Sequence, residues 1–139
     1  METFSPQTVT EPAPARKALS IIVADDVEEI QQLVSTCLTT AGHHVTCAGS
    51  GSGVIRLLAK QQCDLVIADV LMPDGDGLDI IFAVKRENLP TRILTISGGG
   101  KYMVAAECLR ISQGVGADRV LLKPFNCTQL LEAVEAVMR

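Results

Sequence analysis

Short apolar runs alternate along this chain with stretches in which apolar residues recur every three or four positions. The first run, Leu19–Ala24, is nearly continuous, as is typical of a strand buried on both faces of a parallel sheet. Apolar residues then recur at helical spacing as far as Gly42; they are Val27, Ile30, Leu33, Val34, Cys37 and Leu38. Asp26 and Glu29 have the spacing of a capping box. The pattern predicts a strand, then a helix that starts at this box and stops at Gly42.

The same alternation repeats four more times. It predicts strands at His44–Ala48, Asp64–Ala68, Arg92–Ile96 and Arg119–Leu122. It predicts helices at Ser52–Lys60, Gly77–Arg86, Lys101–Gln113 and Cys127–Met138, the last capped by Asn126. Five successive βα units predict an α/β fold, a mostly parallel five-stranded sheet with helices on both faces.

Residues 1–17 precede this regular pattern. They show no periodicity and contain Pro6, Pro12 and Pro14, so they are predicted to be a disordered tail. Residues 18–139 are predicted to form one domain, because a chain of 139 residues suits one core and the fifth helix closes it.

Composition narrows the function classes. The formal net charge is -4 and aromatic residues make up 3% of the chain, so neither a basic field nor a base-stacking platform supports nucleic-acid binding. No apolar run approaches the roughly 20 residues that span a bilayer, and residues 1–17 are polar and lack the apolar core of a signal peptide. We therefore expect a cytoplasmic protein that binds neither nucleic acid nor membrane.

The expected cytoplasmic location also predicts the state of the cysteines. There are five, without a C-x-x-C pair; they are Cys37, Cys47, Cys63, Cys108 and Cys127. Thiols in a reducing compartment rarely form disulfides. All five are predicted to be small, buried or half-buried free thiols.

Candidate chemistry lies at the carboxyl ends of the predicted strands, where open α/β sheets bind ligands. Asp25 and Asp26 follow the first strand, and Asp69 follows the third. Ser97 follows the fourth strand and Lys123 the fifth. Clustered carboxylates repel one another unless a cation is present, and Mg²⁺ suits two carboxylates, a backbone carbonyl and waters. A carboxylate can also accept a phosphoryl group, with a cation and Lys123 neutralising its charge.

These residues and their neighbours resemble the receiver domains of response regulators in two-component signalling. The resemblance rests on Asp25-Asp26, on Ser97-Gly98, and on the run DLVIADVLMPDGDGLD at Asp64–Asp79. It also rests on Gly116-Ala117-Asp118 and Lys123-Pro124-Phe125, and it covers about residues 19–139. It implies a doubly wound (βα)5, flavodoxin-like sheet with strand order 2-1-3-4-5.

The resemblance also implies a role for each residue. Asp69 would be the phospho-acceptor, and Asp26, Asp69 and the backbone carbonyl of Leu71 would bind Mg²⁺, with Asp25 acting largely through water. Ser97 would be the switch hydroxyl and Lys123 the phosphate-contacting lysine, with a cis Lys123–Pro124 bond. The donor would be a phosphohistidine on a histidine kinase or phosphotransfer protein, and an unknown downstream protein would read the signal. Such a domain is a signalling module, and an enzyme only in assisting its own phosphorylation and dephosphorylation.

Two departures from the family concern how the signal is read. The family usually has Tyr or Phe three residues before the lysine, where this chain has Val120. The stretch from Ser97 to Lys123, with Gly98-Gly99-Gly100, is about one helical turn longer than is typical. An alternative function therefore stays open, a constitutive interaction scaffold in which phosphorylation is incidental.

Other motifs fit less well. The glycines before Lys101 lack the spacing of a P-loop, and Asp74-Gly75-Asp76-Gly77 lacks the later residues of a calcium loop. A phosphatase of the haloacid-dehalogenase type would need Asp at position 71, which is Leu71. His43 and His44 are predicted to lie in a turn away from the site. Asp64 and Asp118 precede strands and are predicted to be caps or solvated turn residues.

Overall fold

Five parallel strands form one sheet. The computed structural model describes residues 18–69, 77–97 and 118–139. The strands in these ranges are β1 (Ser20–Ala24), β2 (His44–Ala48), β3 (Leu65–Asp69), β4 (Arg92–Ser97) and β5 (Arg119–Leu122). Their spatial order is β2-β1-β3-β4-β5, and every neighbouring pair is parallel. The predicted α/β class and the 2-1-3-4-5 order are confirmed.

Four helices accompany the strands in the described ranges. They are α1 (Glu28–Thr40), α2 (Gly51–Lys60), α3 (Gly77–Arg86) and α4 (Cys127–Met138). None of the helices in this part of the chain is long and apolar enough to cross a bilayer. The helix predicted at Lys101–Gln113 and the tail predicted at 1–17 lie outside the described residues.

The helix ends follow local side-chain chemistry. Ser50 caps α2 by accepting a hydrogen bond from the Gly53 N–H at 3.2 Å. Asn126 and Gln129 form a reciprocal capping box at the start of α4, as the sequence suggested for Asn126. After α1, Gly42 adopts a φ of 100°, a left-handed conformation that glycine reaches without steric cost.

The predicted capping box at the start of α1 is wrong. The N-cap residue is Val27, and no side chain accepts a cap hydrogen bond there. The carboxylate nearest this turn belongs to Asp25, whose Oδ1 accepts from the Val27 N–H at 2.9 Å. Asp25 therefore fixes the turn out of β1, and the helix begins two residues after Asp26.

The core consists of two layers, one on each face of the sheet. Ile21, Ile67 and Leu94 face α1 and α4, and pack there against Val34 and Leu130. The alternating strand residues face the other way, where Ile22, Val66 and Ala68 pack against Val54 of α2 and Ile80 of α3. Successive strand side chains point to opposite faces, so a strand covered by helices on both sides is apolar throughout.

At the amino ends of the strands, side chains accept hydrogen bonds from backbone N–H groups. Asp64 Oδ2 accepts from the Ser20 N–H, and Asp118 Oδ2 accepts from the Ile93 N–H, each at 2.8 Å. His43 Nδ1 accepts from the Leu19 N–H at 3.0 Å. The predicted capping role of the two aspartates is confirmed, and His43 lies at the edge of the sheet opposite Asp69.

The cysteine prediction is wrong for two of the five residues. Cys37 of α1 and Cys127 of α4 form a disulfide, with Cα atoms 5.7 Å apart. The two helices lie side by side on one face, so residues separated by 90 positions in sequence meet. Cys47 and Cys63 are free thiols, as predicted, but only Cys63 is buried; Cys47 is exposed, so its predicted burial is wrong. Cys108 lies outside the described residues.

The two-layer core predicts a large difference between two leucines. Leu94 is fully buried in the α1–α4 layer, whereas Leu33 on α1 is 41% exposed. We expect Leu94→Ala to lower the free energy of unfolding by about 3 kcal/mol, because it removes buried apolar contact and leaves a cavity. Leu33→Ala is the matched control and should cost less than about 1 kcal/mol. Urea unfolding measures both, and equal losses would contradict this packing.

Candidate phospho-acceptor site

The site is built where three strands end. β1 and β3 are neighbours, with Ala24 paired to Ala68, so the residues that follow these two positions lie side by side. They are Asp25, which leaves β1, and Asp69, which ends β3. Asp26 comes one residue later, and Lys123 directly follows β5. The register of the parallel sheet therefore brings together residues that are up to 98 positions apart in sequence.

Three carboxylates and one ammonium group converge at this edge. One carboxylate oxygen from each of Asp25, Asp26 and Asp69 lies within 4.8 Å of the other two. Lys123 Nζ donates a hydrogen bond to Asp69 Oδ2 at 2.8 Å and forms an ion pair with Asp25 Oδ2 at 3.6 Å. Asp25 is fully buried, Asp69 is 7% exposed and Asp26 is exposed, so the cluster opens to solvent on one side.

Ser97 and Leu71, which were also predicted to belong to the site, are not among the residues with described side-chain contacts there. Ser97 ends β4, and its backbone pairs with Leu122 one residue before Lys123, which is the predicted edge of the sheet. Its side chain, however, is not among those described. Leu71, whose carbonyl was predicted to bind the metal, lies outside the described residues.

The lysine is held by the segment between β5 and α4. The Lys123–Pro124 peptide bond is cis, as the resemblance implies. The next residue, Phe125, packs against the core layer shared by α1 and α4. The capping box of Asn126 then starts α4. Lys123 is thus fixed from behind by its strand and from ahead by a packed side chain and a capped helix.

Burial and charge shift the protonation of two groups in the cluster. Burial raises the pKa of the Asp25 carboxyl above its ordinary 3.8, and the charges of Asp69 and Asp26 raise it further. The Val27 N–H and Lys123 lower this pKa, but they do not outweigh burial. Burial alone would lower the pKa of Lys123, but its contacts with Asp69 and Asp25 outweigh burial and raise it. The lysine is therefore held protonated, whereas ionisation of Asp25 is opposed.

The donor set fits a hard divalent cation. Within the described part of the chain, Asp25 Oδ2 is buried and accepts no hydrogen bond, since Lys123 at 3.6 Å is too far to donate one. Three carboxylates also carry more negative charge than one lysine neutralises. An oxygen-only set of this charge is suited to Mg²⁺, which takes one or two carboxylates and keeps several waters.

Gln31 supports the turn that carries the acidic pair, and nothing in the sequence indicated it. Its Nε2 contacts the backbone carbonyl of Asp25 and donates to the Ala48 carbonyl at 3.3 Å. The Asp25 N–H donates to the same Ala48 carbonyl at 3.3 Å. One side chain of α1 therefore joins the ends of β1 and β2 directly beneath Asp25.

A doubly wound parallel sheet with an acidic cluster and a lysine at its carboxyl edge defines a receiver-type α/β domain. Comparison with known proteins agrees with this class. Residues 21–135 match the family model described as the response regulator receiver domain. The chain belongs to this family.

The most similar solved structures include the chemotaxis response regulator CheY4 of Vibrio cholerae. It is 30% identical in sequence, with a TM-score of 0.78 over 87% of this chain and 99% of that one. A putative response regulator from Chloroflexus aurantiacus is 26% identical, with a TM-score of 0.79 over 88% of this chain and 98% of that one.

Curated relatives include longer proteins. The DNA-binding transcriptional regulator NtrC of Azospirillum brasilense is 35% identical over 121 residues, which are 87% of this chain and 24% of the relative. The probable transcriptional regulatory protein TcrX of Mycobacterium tuberculosis is 30% identical over 123 residues, 87% of this chain and 50% of the relative. The chain thus spans between a quarter and a half of the length of these relatives.

The buried carboxyl of Asp25 predicts a stability cost in metal-free protein. Because folding raises its pKa, the folded state holds the proton more tightly, so stability falls as pH rises from 3.8 through the raised value. Asn at this position can still accept the Val27 N–H, but it carries no charge. We expect Asp25→Asn to be more stable than the unaltered chain at pH 7 in chelator, with the difference disappearing below pH 4.

Urea unfolding with EDTA across this pH range measures the effect. Glu132→Gln, at an exposed carboxylate of α4, is the control and should change stability little. An Asp25→Asn protein less stable than the unaltered chain at pH 7 without metal would contradict the electrostatic account.

Proposed function

We propose that this domain is a phosphorylation switch whose Asp69 accepts a phosphoryl group from a phosphohistidine of a sensor kinase or phosphotransfer protein. The observation that carries the proposal is the contact between Lys123 Nζ and Asp69 Oδ2 at 2.8 Å, beside the oxygens of Asp25 and Asp26. Asp69 is the one member of the cluster that both touches the lysine within hydrogen-bonding distance and ends a strand at the open edge.

The transfer forms one bond and breaks one. A carboxylate oxygen of Asp69 bonds to phosphorus while the bond from phosphorus to the donor imidazole nitrogen breaks, and that nitrogen keeps the electron pair. Lys123 stays protonated and moves its hydrogen bond to a phosphoryl oxygen as the Asp69 charge is consumed. The product is an acyl phosphate, which water later hydrolyses with the same cationic assistance.

We further propose that Asp25, Asp26, Asp69 and the carbonyl of Leu71 hold Mg²⁺. When bound, Mg²⁺ supplies positive charge next to the transferring phosphoryl group. The buried Asp25 Oδ2, which accepts no hydrogen bond from the described residues, and the three carboxylates around one lysine support this assignment. Asp25 acts largely through water, and Gln31 keeps the backbone of the acidic turn in position.

The phosphorylated state is read by another protein. Ser97, at the end of β4, is the proposed switch hydroxyl, because a hydrogen bond from a hydroxyl to a phosphoryl oxygen exists only in the phosphorylated state. Val120 lies on β5 opposite Thr95 and takes the place of the usual aromatic residue, so the changed surface differs from that of most receivers. Output through a protein partner or a phosphorelay follows, without direct binding to nucleic acid.

We propose that residues 18–139 act as a stand-alone receiver in the cytoplasm, with residues 1–17 as a tail. The likeness to the response regulator CheY4, 99% of whose chain is covered by this one, supports the proposal. The net charge of -4 supports protein partners rather than nucleic acid.

Phosphorylation by a small donor tests the acceptor. With Mg²⁺ and phosphoramidate, we expect the unaltered protein to gain one phosphoryl group by intact mass, and Asp69→Asn to lose at least about 100-fold of the rate, because the nucleophilic oxygen is replaced by an amide. Asp79→Asn, an exposed aspartate in the first turn of α3, is the control and should label as the unaltered chain does.

Labelling of Asp69→Asn at the unaltered rate would overturn the acceptor assignment. Absence of labelling in every form would favour the alternative of a constitutive interaction scaffold.

A further inference from the structure

The disulfide between Cys37 and Cys127 joins the two helices, α1 and α4, that adjoin the acidic residues and the lysine of the site. Cys37 is buried at 6% exposure in the third turn of α1, and Cys127 is the partly buried first residue of α4. Their Cα separation of 5.7 Å lies within the range that disulfides require. α1 begins directly after the acidic turn of Asp25 and Asp26, whereas Cys127 comes four residues after Lys123. The bond therefore joins the element behind the acids to the segment that carries the lysine.

The position of Cys127 also favours its reactivity. It occupies the first turn of a 12-residue helix, where the helix dipole and free N–H groups stabilise a thiolate. The other described thiols differ. Burial raises the pKa of both Cys47 and Cys63, and Cys63 Sγ donates to the Leu65 carbonyl at 3.1 Å. A raised pKa lowers the thiolate fraction of Cys47 and Cys63, whereas Cys127 is placed where a thiolate is stabilised. Cys47 is exposed, so Cys47→Ser serves as the control.

We propose that Cys37 and Cys127 form a reversible thiol–disulfide site that takes low-molecular-weight disulfides, and that its oxidation clamps the Lys123 segment against α1 and speeds phosphorylation of Asp69. The second part rests on the proposed function. Disulfides in reducing compartments are commonly transient and redox-sensing, so reversibility is the expected mode of use in a cytoplasmic protein.

The exchange proceeds in two balanced steps. The Cys127 thiolate attacks one sulfur of glutathione disulfide, giving a mixed disulfide and one glutathione thiolate. Cys37, as its thiolate, then attacks the Cys127 sulfur and releases the second glutathione. Two electrons pass from the protein thiols to the external disulfide, and the two protons leave with the two glutathione thiols. Excess glutathione reverses both steps.

The clamp acts through the short chain between the bond and the site. Only Pro124, Phe125 and Asn126 separate Lys123 from Cys127, and Phe125 already packs against the layer shared by α1 and α4. With the disulfide closed, the start of α4 cannot move away from α1, and Lys123 keeps its position over Asp69. With the thiols reduced, packing alone holds this segment. A misplacement of about 1 Å in a group that assists a reaction can strongly lower the reaction rate. We therefore expect the disulfide to raise the rate of Asp69 phosphorylation.

Thiol counting in a glutathione redox buffer tests the site. The chain has five cysteines, so the denatured oxidised protein should show three free thiols by maleimide mass labelling and the reduced protein five. Cys127→Ser should show four thiols throughout. Cys37→Ser should show four when reduced, and three plus one glutathione adduct on Cys127 after oxidation, because the exchange stops at the mixed disulfide. The control Cys47→Ser should still lose two on oxidation. Oxidised protein should also melt about 10 °C higher than reduced protein, because the bond closes a long loop.

The rate of phosphoramidate labelling tests the clamp. We expect the oxidised unaltered chain and the oxidised Cys47→Ser chain to label about fivefold faster than their reduced forms. Cys37→Ser and Cys127→Ser should label at the reduced rate under both conditions. Five thiols after oxidation, or equal labelling rates with the disulfide demonstrated, would overturn the proposal. Loss of all labelling with the thiol counts intact would instead point to failure of the proposed acceptor function.

Discussion

Repulsion among carboxylates at one edge of the sheet is the constraint on which the site depends. Asp25, Asp26 and Asp69 bring oxygens within 4.8 Å of one another, and Lys123 supplies one compensating charge. Burial, with a smaller contribution from the neighbouring carboxylates, raises the pKa of Asp25 and opposes its ionisation. Its Oδ2 accepts no hydrogen bond in the described part of the chain. Such an arrangement costs stability in the folded protein unless a cation binds, so it is explained by function and not by packing.

The fold holds these carboxylates close together because the strands and helices that carry them pack directly behind the site. β1 and β3 are inner strands that are apolar and buried apart from Ser20 at the start of β1 and Asp69 at the end of β3, and their parallel register sets Asp25 beside Asp69. Gln31 fixes the acidic turn from α1, while the packed side chain of Phe125 and the capped start of α4 fix Lys123. α1 and α4 are neighbours on one face, so the acidic and basic halves of the site share one supporting layer.

Much of this arrangement could be predicted from the sequence. Strands buried on both faces are apolar without interruption, and side chains that follow them must meet at one edge, which identified Asp25, Asp69 and Lys123. The bounds of β2, β5 and α4 agree residue for residue with prediction. Other features left no local signal. Gln31 bonds to backbone carbonyls, which any sequence offers, and Cys37 meets Cys127 only through tertiary packing across 90 positions. The predicted capping box of α1 failed because Asp25 bonds to the Val27 N–H in the turn before the helix.

The most direct measurement of the central claim is the position of the phosphoryl group. Borohydride reduces an acyl phosphate to an alcohol, so a phosphorylated aspartate becomes homoserine, and peptide mass mapping reads its place in the chain. After phosphoramidate treatment with Mg²⁺, the account predicts homoserine at position 69 and at neither of the neighbouring carboxylates, Asp25 and Asp26. Homoserine at another position, or a phosphate that survives borohydride on a hydroxyl or imidazole, would contradict it.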